Sequence, residues 1–214
     1  MKHVLRILGI SFLAFIGAIS LSIVYESAYA NAATANDSVN VSLIVNSGIT
    51  ITDSPDITLS NTIGVSNNTA VGTSTWSVVT TNSLGYFMTI RASTNPAMQS
   101  GANQVADFST TTMPHSWSVS ANDARFGFSV FGSDTNASVW GSGTFCNGAA
   151  TSTTNNSLNY YGFYTTATTT ASNTVPTSPT GNNTTVCYAA QQGSSYYIPS
   201  GTYTATITAT VTTN

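Results

Sequence analysis

Residues 199–214 read PSGTYTATITATVTTN. On an extended chain Tyr203, Ala205, Ile207, Ala209 and Val211 fall on one side, with threonines filling most of the other. Side chains alternate across a strand with a period of two, so one row meets a core and the other meets water. A helix would scatter both rows around its circumference. The stretch therefore predicts a half-buried antiparallel strand, built from residue types that suit a pleated surface.

The pattern recurs along the chain. Residues 39–45 (VNVSLIV) put Val39, Val41, Leu43 and Val45 on one face. Ser47-Gly48 interrupts, and residues 49–52 (ITIT) resume. Residues 57–60 (ITLS) follow a DSPD turn. STWSVVT (74–80) and GYFMTIRAS (85–93), joined by Thr81-Asn82-Ser83-Leu84, predict a hairpin. HSWSVSA (115–121) and RFGFSVFG (125–132), joined by Asn122-Asp123-Ala124, predict another. The two hairpins echo one another in Trp76-Ser77-Val78 and Trp117-Ser118-Val119. Further strands are expected at 160–164, 185–189, 195–198 and 202–212. Asn95-Pro96-Ala97-Met98 predicts one helical turn, with Asn as cap and Pro in first position. Residues 165–185 are Thr-rich, punctuated by Pro176, Pro179 and Gly181, and read in part as a surface loop. Many short strands separated by turn residues predict an all-β fold, an antiparallel β-sandwich of Ig-like or Greek-key type.

The N-terminus reads as an address. MKHVLRILGISFLAFIGAISLSIVYESAYA has a basic start (Lys2, His3, Arg6), an apolar run from Ile7 to Val24, and a closing Ala28-Tyr29-Ala30. These are the parts of a secretory signal peptide, residues 1–30. An uncleaved membrane anchor is the rival reading, because the run reaches the ~18 residues that span a bilayer. Residues 31–214 are expected to form a single Thr-rich domain, long enough to bury about 70% of its unfolded surface. The expected location is extracellular, at the cell surface.

Beyond residue 30 the chain has no Lys and no Glu. Arg91 and Arg125 stand against Asp37, Asp53, Asp56, Asp107, Asp123 and Asp134. That inventory excludes a basic nucleic-acid footprint and a polybasic membrane patch. Solubility rests on Thr, Ser and Asn, so salt should have little field to screen. Two cysteines occur, Cys146 and Cys187. In an exported chain they read as one disulfide ahead of a metal pair or two free thiols. Closing a loop of that size is worth about 4 kcal/mol on the loop-entropy model.

Acid–base catalysis needs groups that titrate near the working pH. His115 is the one histidine beyond residue 30, and no Gly-x-Ser-x-Gly or His-Glu-x-x-His motif accompanies it. It reads as a structural or surface residue, and the chain as a non-enzyme with no catalytic residues and no cofactor. Asp53-Ser54-Pro55-Asp56 and Asp134-Thr135-Asn136 have calcium-ligand types, but Asp in turns bonds its own backbone, and no metal site is expected. Sugar binding uses exposed aromatic faces. Trp140, in a Gly-rich stretch, and the pairs Tyr160-Tyr161 and Tyr196-Tyr197 are the candidate ligand-facing rings. Seven Asn-x-Ser/Thr sequons matter only in a host that glycosylates asparagine. A sortase signal and an apolar tail are absent from the sequence given, so retention is expected to be non-covalent or through the N-terminus.

The Trp-Ser-Val motifs, the Gly85-Tyr86 strand start and the closing Pro-Ser-Gly-Thr-Tyr-Thr-Ala-Thr-Ile of residues 199–207 resemble bacterial secreted cell-surface proteins of the WxL-like type. Both motifs carry Val where that family has Leu, and both lie mid-chain. The resemblance implies a Thr-rich β-sandwich held non-covalently on the cell wall. The leading expectation is thus a secreted non-enzymatic surface protein whose partner is a cell-envelope polymer or another surface protein. The alternatives are a self-assembling subunit of a fibre or coat, with the terminal strand as candidate donor, and a glycan-binding module.

Overall fold

The structure is a computed structural model that describes residues 35–52, 54–108, 114–146 and 158–214. The expected signal peptide, residues 1–30, lies outside them. Val45–Asn214 form one compact unit, and the described residues 35–44 belong to another. The strands are β1 (Ile49–Ile51), β2 (Thr69–Thr80), β3 (Tyr86–Ala92), β4 (Met98–Ser100), β5 (Asn103–Asp107), β6 (Ala124–Gly132), β7 (Thr168–Asn173), β8 (Asn182–Gln192) and β9 (Ile207–Thr213). They form a six-stranded sheet, β1-β2-β8-β6-β5-β4, and a three-stranded sheet, β7-β3-β9. The sheets pack on each other as an all-β sandwich. Every ladder is antiparallel except β5 with β6, where Ala106 and Asp107 run parallel to Arg125 and Phe126.

The core lies where inward rows meet. Trp76 and Val78 of β2 pack with Phe126, Phe128 and Val130 of β6 and Val186 and Tyr188 of β8. Tyr86, Met88 and Ile90 of β3 join the same cluster from the opposite sheet. Each such side chain contributes about 1.5–3 kcal/mol on leaving water. β6 and β8 are buried on both faces. Their outward residues, including Cys187 and Ala189, meet a second cluster of Phe108, Leu158 and Tyr160. Gly127 makes this cover fit, because a Cβ there would come within 2.7 Å of the Phe108 Cβ and of the Tyr161 carbonyl oxygen. The disulfide Cys146–Cys187, with Cα atoms 5.5 Å apart, fastens residue 146 over that same face.

Several expectations change. The stretch 74–93 is no hairpin: β2 pairs with β1 and β8, whereas β3 pairs with β7 and β9. The turn at 81–85 carries the chain across the sandwich, so the apolar rows of β2 and β3 face each other through the core. The second expected hairpin also fails. Residues 115–121 form only a bridge from His115 to Tyr160, while β6 lies between β8 and β5. The edge beside β6 is already taken by the Phe128–Tyr161 bridge. Residues 95–98 make no helical turn; Asn95–Pro96 is cis and Met98 opens β4. Within residues 165–185 the expected part-loop lies at 174–181, which holds Pro176, Pro179 and Gly181, with β7 and the start of β8 on either side. Residues 195–198 form no strand, and 57–60 contribute only the Ser60–Val71 bridge. Residues 39–45 form no strand either. Alternation gives a segment a face, but a strand also needs a neighbour for its main-chain groups.

Candidate functional site

β9 is the edge of its sheet, and its two edges differ. One is paired to β3 along the whole strand, from Tyr86 opposite Thr213 to Ala92 opposite Ile207. The Thr206 carbonyl accepts from the Ser93 N–H, Thr204 exchanges both main-chain bonds with Gln99, and the Asn214 N–H donates to the Gly85 carbonyl. All three are even-numbered. Successive residues of a strand turn their main-chain groups to opposite edges. Ile207, Ala209, Val211 and Thr213 therefore aim their N–H and C=O groups at the other edge, where no hydrogen bond engages them among the described residues.

The side chains of these residues tell the same story. Tyr203, Ala205, Ile207, Ala209 and Val211 pack against the core but stay half-buried. On β3 the equivalent row, Tyr86, Met88 and Ile90, is 0–1% exposed. β3 has a strand on each side and β9 has one. β1 lies against β9 across the sandwich, and its Ile49 and Ile51 are also half-buried. The result is an open seam that joins unpaired main-chain groups to an incompletely covered apolar row. Its polar face carries exposed Thr208, Thr210 and Thr212.

The seam is held firmly. The Asn214 side chain donates to the Leu84 and Asn173 carbonyls, and the Asn82 side chain donates to the Asn214 carbonyl. The Tyr86 hydroxyl and the Asn182 amide both donate to one oxygen of Asp134, each at 2.7 Å, tying β3 to β8. Burial first, then the Asp134 carboxylate, push the Tyr86 phenol well above its usual range. The far edge of the three-stranded sheet is less open, because the Ser172 N–H of β7 donates to the Asp134 carbonyl. The Asn214 bonds and the β3 ladder hold β9 in its own sheet.

The sequence-derived aromatic candidates separate. Trp140 sits in a short helix, Ala137–Trp140, capped by the Asn136 side chain, and is 2% exposed against Phe128. Tyr160 is 4% exposed, and burial raises its phenol to about 12. Neither offers a ring face to a ligand. Tyr161 is half-buried and meets Tyr164 edge-on beside Asn95 and Thr165, where they line a shallow depression. Tyr196 and Tyr197 are exposed, in the segment before β9, and no described ring contact joins them to Tyr161. His115 is exposed and lies on Phe108. Asp53 lies outside the described residues, and Asp134 is committed to Tyr86 and Asn182. Among the described residues no three His, Cys, Asp or Glu gather as metal ligands.

Asp107 is a buried carboxylate. Burial raises it to about 6, partly countered by the Ala97 N–H that donates to it and by Arg125. It lies in the frame of the sandwich, not at the seam. Reading the sequence alone missed the seam: the alternation of 203–211 shows a strand, and nothing in it says how many neighbours that strand has. Comparison with family models, with curated proteins and with solved structures gave no match to this chain.

Proposed function

We propose that the chain is an exported, non-enzymatic structural subunit of the cell surface that joins other subunits by strand addition. The observation that carries this reading is the β9 edge, where Ile207, Ala209 and Val211 combine free main-chain groups with half-buried side chains. An unguarded edge of this kind is a template for pairing, and soluble proteins ordinarily blunt one with charge, proline or a cover. β9 carries no charged residue and no proline. Scarcity of charge over residues 31–214 also leaves little repulsion between copies. Association with the envelope is then non-covalent, as the WxL-like resemblance implies. Ala209→Pro tests the reading, because its N–H faces the open edge and proline there removes no bond within the sheet. The exported wild-type protein should sediment as an assembly, and the variant should stay folded and monomeric. Assembly of the variant at the wild-type level would refute the reading.

The Tyr161–Tyr164 depression favours a second reading, glycan binding. It calls for Tyr164→Ala to abolish retention on insoluble wall polysaccharide, with unchanged retention counting against it.

A further inference from the structure

Resting on that reading, we infer that the strand received at β9 is residues 39–45 of a neighbouring copy. Val39, Val41, Leu43 and Val45 make one apolar row with the period of a strand. All are highly exposed, Val41 at 91% and Leu43 at 85%. Residues 35–48 form no ladder. A surface row of large aliphatic side chains is costly in water and calls for a cover. The seam at β9 has the complementary need: main-chain partners for Ile207, Ala209 and Val211, and a cover for their side chains. Segment and strand match in length, since β9 has 7 residues.

Strand addition answers both needs at once. The donor's main chain pairs with the odd-numbered residues of β9. Its valine and leucine row turns inward and extends the three-stranded sheet past β9, toward Ile49 and Ile51 of β1. Asn40, Ser42 and Ile44 then lie on the threonine face, where Ile44 stays exposed as it is in the subunit. This is recognition by β-augmentation, with main-chain bonds giving affinity and alternate side chains giving register. Donor and acceptor are different surfaces of one subunit. The contact is heterologous and repeats head to tail, so it builds a filament unless it closes into a ring.

The test compares the exported full chain with its Val41→Asp/Leu43→Asp variant. Wild type should form sedimenting filaments visible by negative-stain microscopy. The double variant should stay monomeric and still unfold in one cooperative transition. A synthetic peptide of residues 37–47 (DSVNVSLIVNS) should bind that monomer one to one. Adding Ala209→Pro should weaken the peptide by roughly tenfold or more, the scale of one lost hydrogen bond. Filaments from the double variant would overturn the donor assignment and leave assembly through other contacts. A wild-type protein that never assembles would overturn the subunit reading, and the peptide then decides the fit on its own. Failure of the peptide to bind would overturn the inference.

Discussion

Residues 39–45 and β9 are both uncharged, alternating segments with an apolar row of valine, isoleucine, leucine or alanine. One stands exposed with no ladder; the other is bonded to β3 along its whole length. The difference teaches that the alternating pattern states what a segment can pair with, while the supply of neighbours decides whether it does. β3 makes the same point inside the sandwich: with two neighbours its inward row is sealed, and β9 with one is left half-open.

Deleting one segment or the other separates their roles most sharply. Without residues 207–214, the inward row of β3 loses its neighbour and Asn82, Leu84 and Gly85 lose their ties to Asn214. Cooperative thermal unfolding should vanish. Without residues 36–45, the melting temperature should stay within about 4 °C of the monomeric Val41→Asp/Leu43→Asp variant, a change of under ~1 kcal/mol for a domain of this size. Equal effects of the two deletions would break the comparison.

Proline placement along β9 gives the next largest effect. The Thr210 N–H belongs to the β3 side, so Thr210→Pro should cost about 3 kcal/mol in a urea melt. Ala209→Pro, one residue away, should cost under about half of that, since only free-edge groups are touched. Similar costs for both would refute the assignment of the odd-numbered residues to the open edge.

A pH series sharpens the comparison differently, because neither segment holds a titrating side chain. Stability should change with pH through Asp107 instead. Its carboxyl sits near 6 in the fold and near 3.9 in the unfolded chain. Below about pH 4 both states are protonated and the fold keeps its full stability. As pH rises to about 6 the unfolded chain ionises first, and up to about 3 kcal/mol is lost, then levels off. Asp107→Asn should flatten that window in chemical melts while filament formation keeps its wild-type pH profile. The smallest effect is expected at Thr184 and Ser129, buried hydroxyls with no hydrogen-bond partner among the described residues. Thr184→Val and Ser129→Ala should be neutral or stabilising by up to about 1 kcal/mol.

The legible part of the fold is the part set by local pattern. Alternation at 74–80, 85–93 and 202–212 correctly marks β2, β3 and the terminal strand, and the spacing of short strands correctly implies a sandwich. The disulfide was legible from the pairing of two cysteines in a sequence that reads as that of an exported chain. Partnership was not legible. Thr81-Asn82-Ser83-Leu84 is turn-like whether it links neighbours in one sheet or crosses to the other, and the contacts that decide are far away in sequence. Trp140 was misread because Gly141 and Gly143 suggest a loop, whereas Asn136 caps a helical turn that buries the ring on Phe128. The open edge at β9 could not be read at all, since an edge is defined by the strand that is missing beside it.

Amide hydrogen exchange at single-residue resolution tests the central claim most directly. In the monomeric Val41→Asp/Leu43→Asp variant, Thr208 and Thr210 should be protected by β3, and Ala209 and Val211 should exchange freely. In wild-type filaments, exchanged intact and then dissolved for reading, Ala209 and Val211 should become as protected as their neighbours, together with amides in residues 39–45. If Ala209 and Val211 exchange at the same rate in filament and monomer, no strand is added at β9 and the account is contradicted.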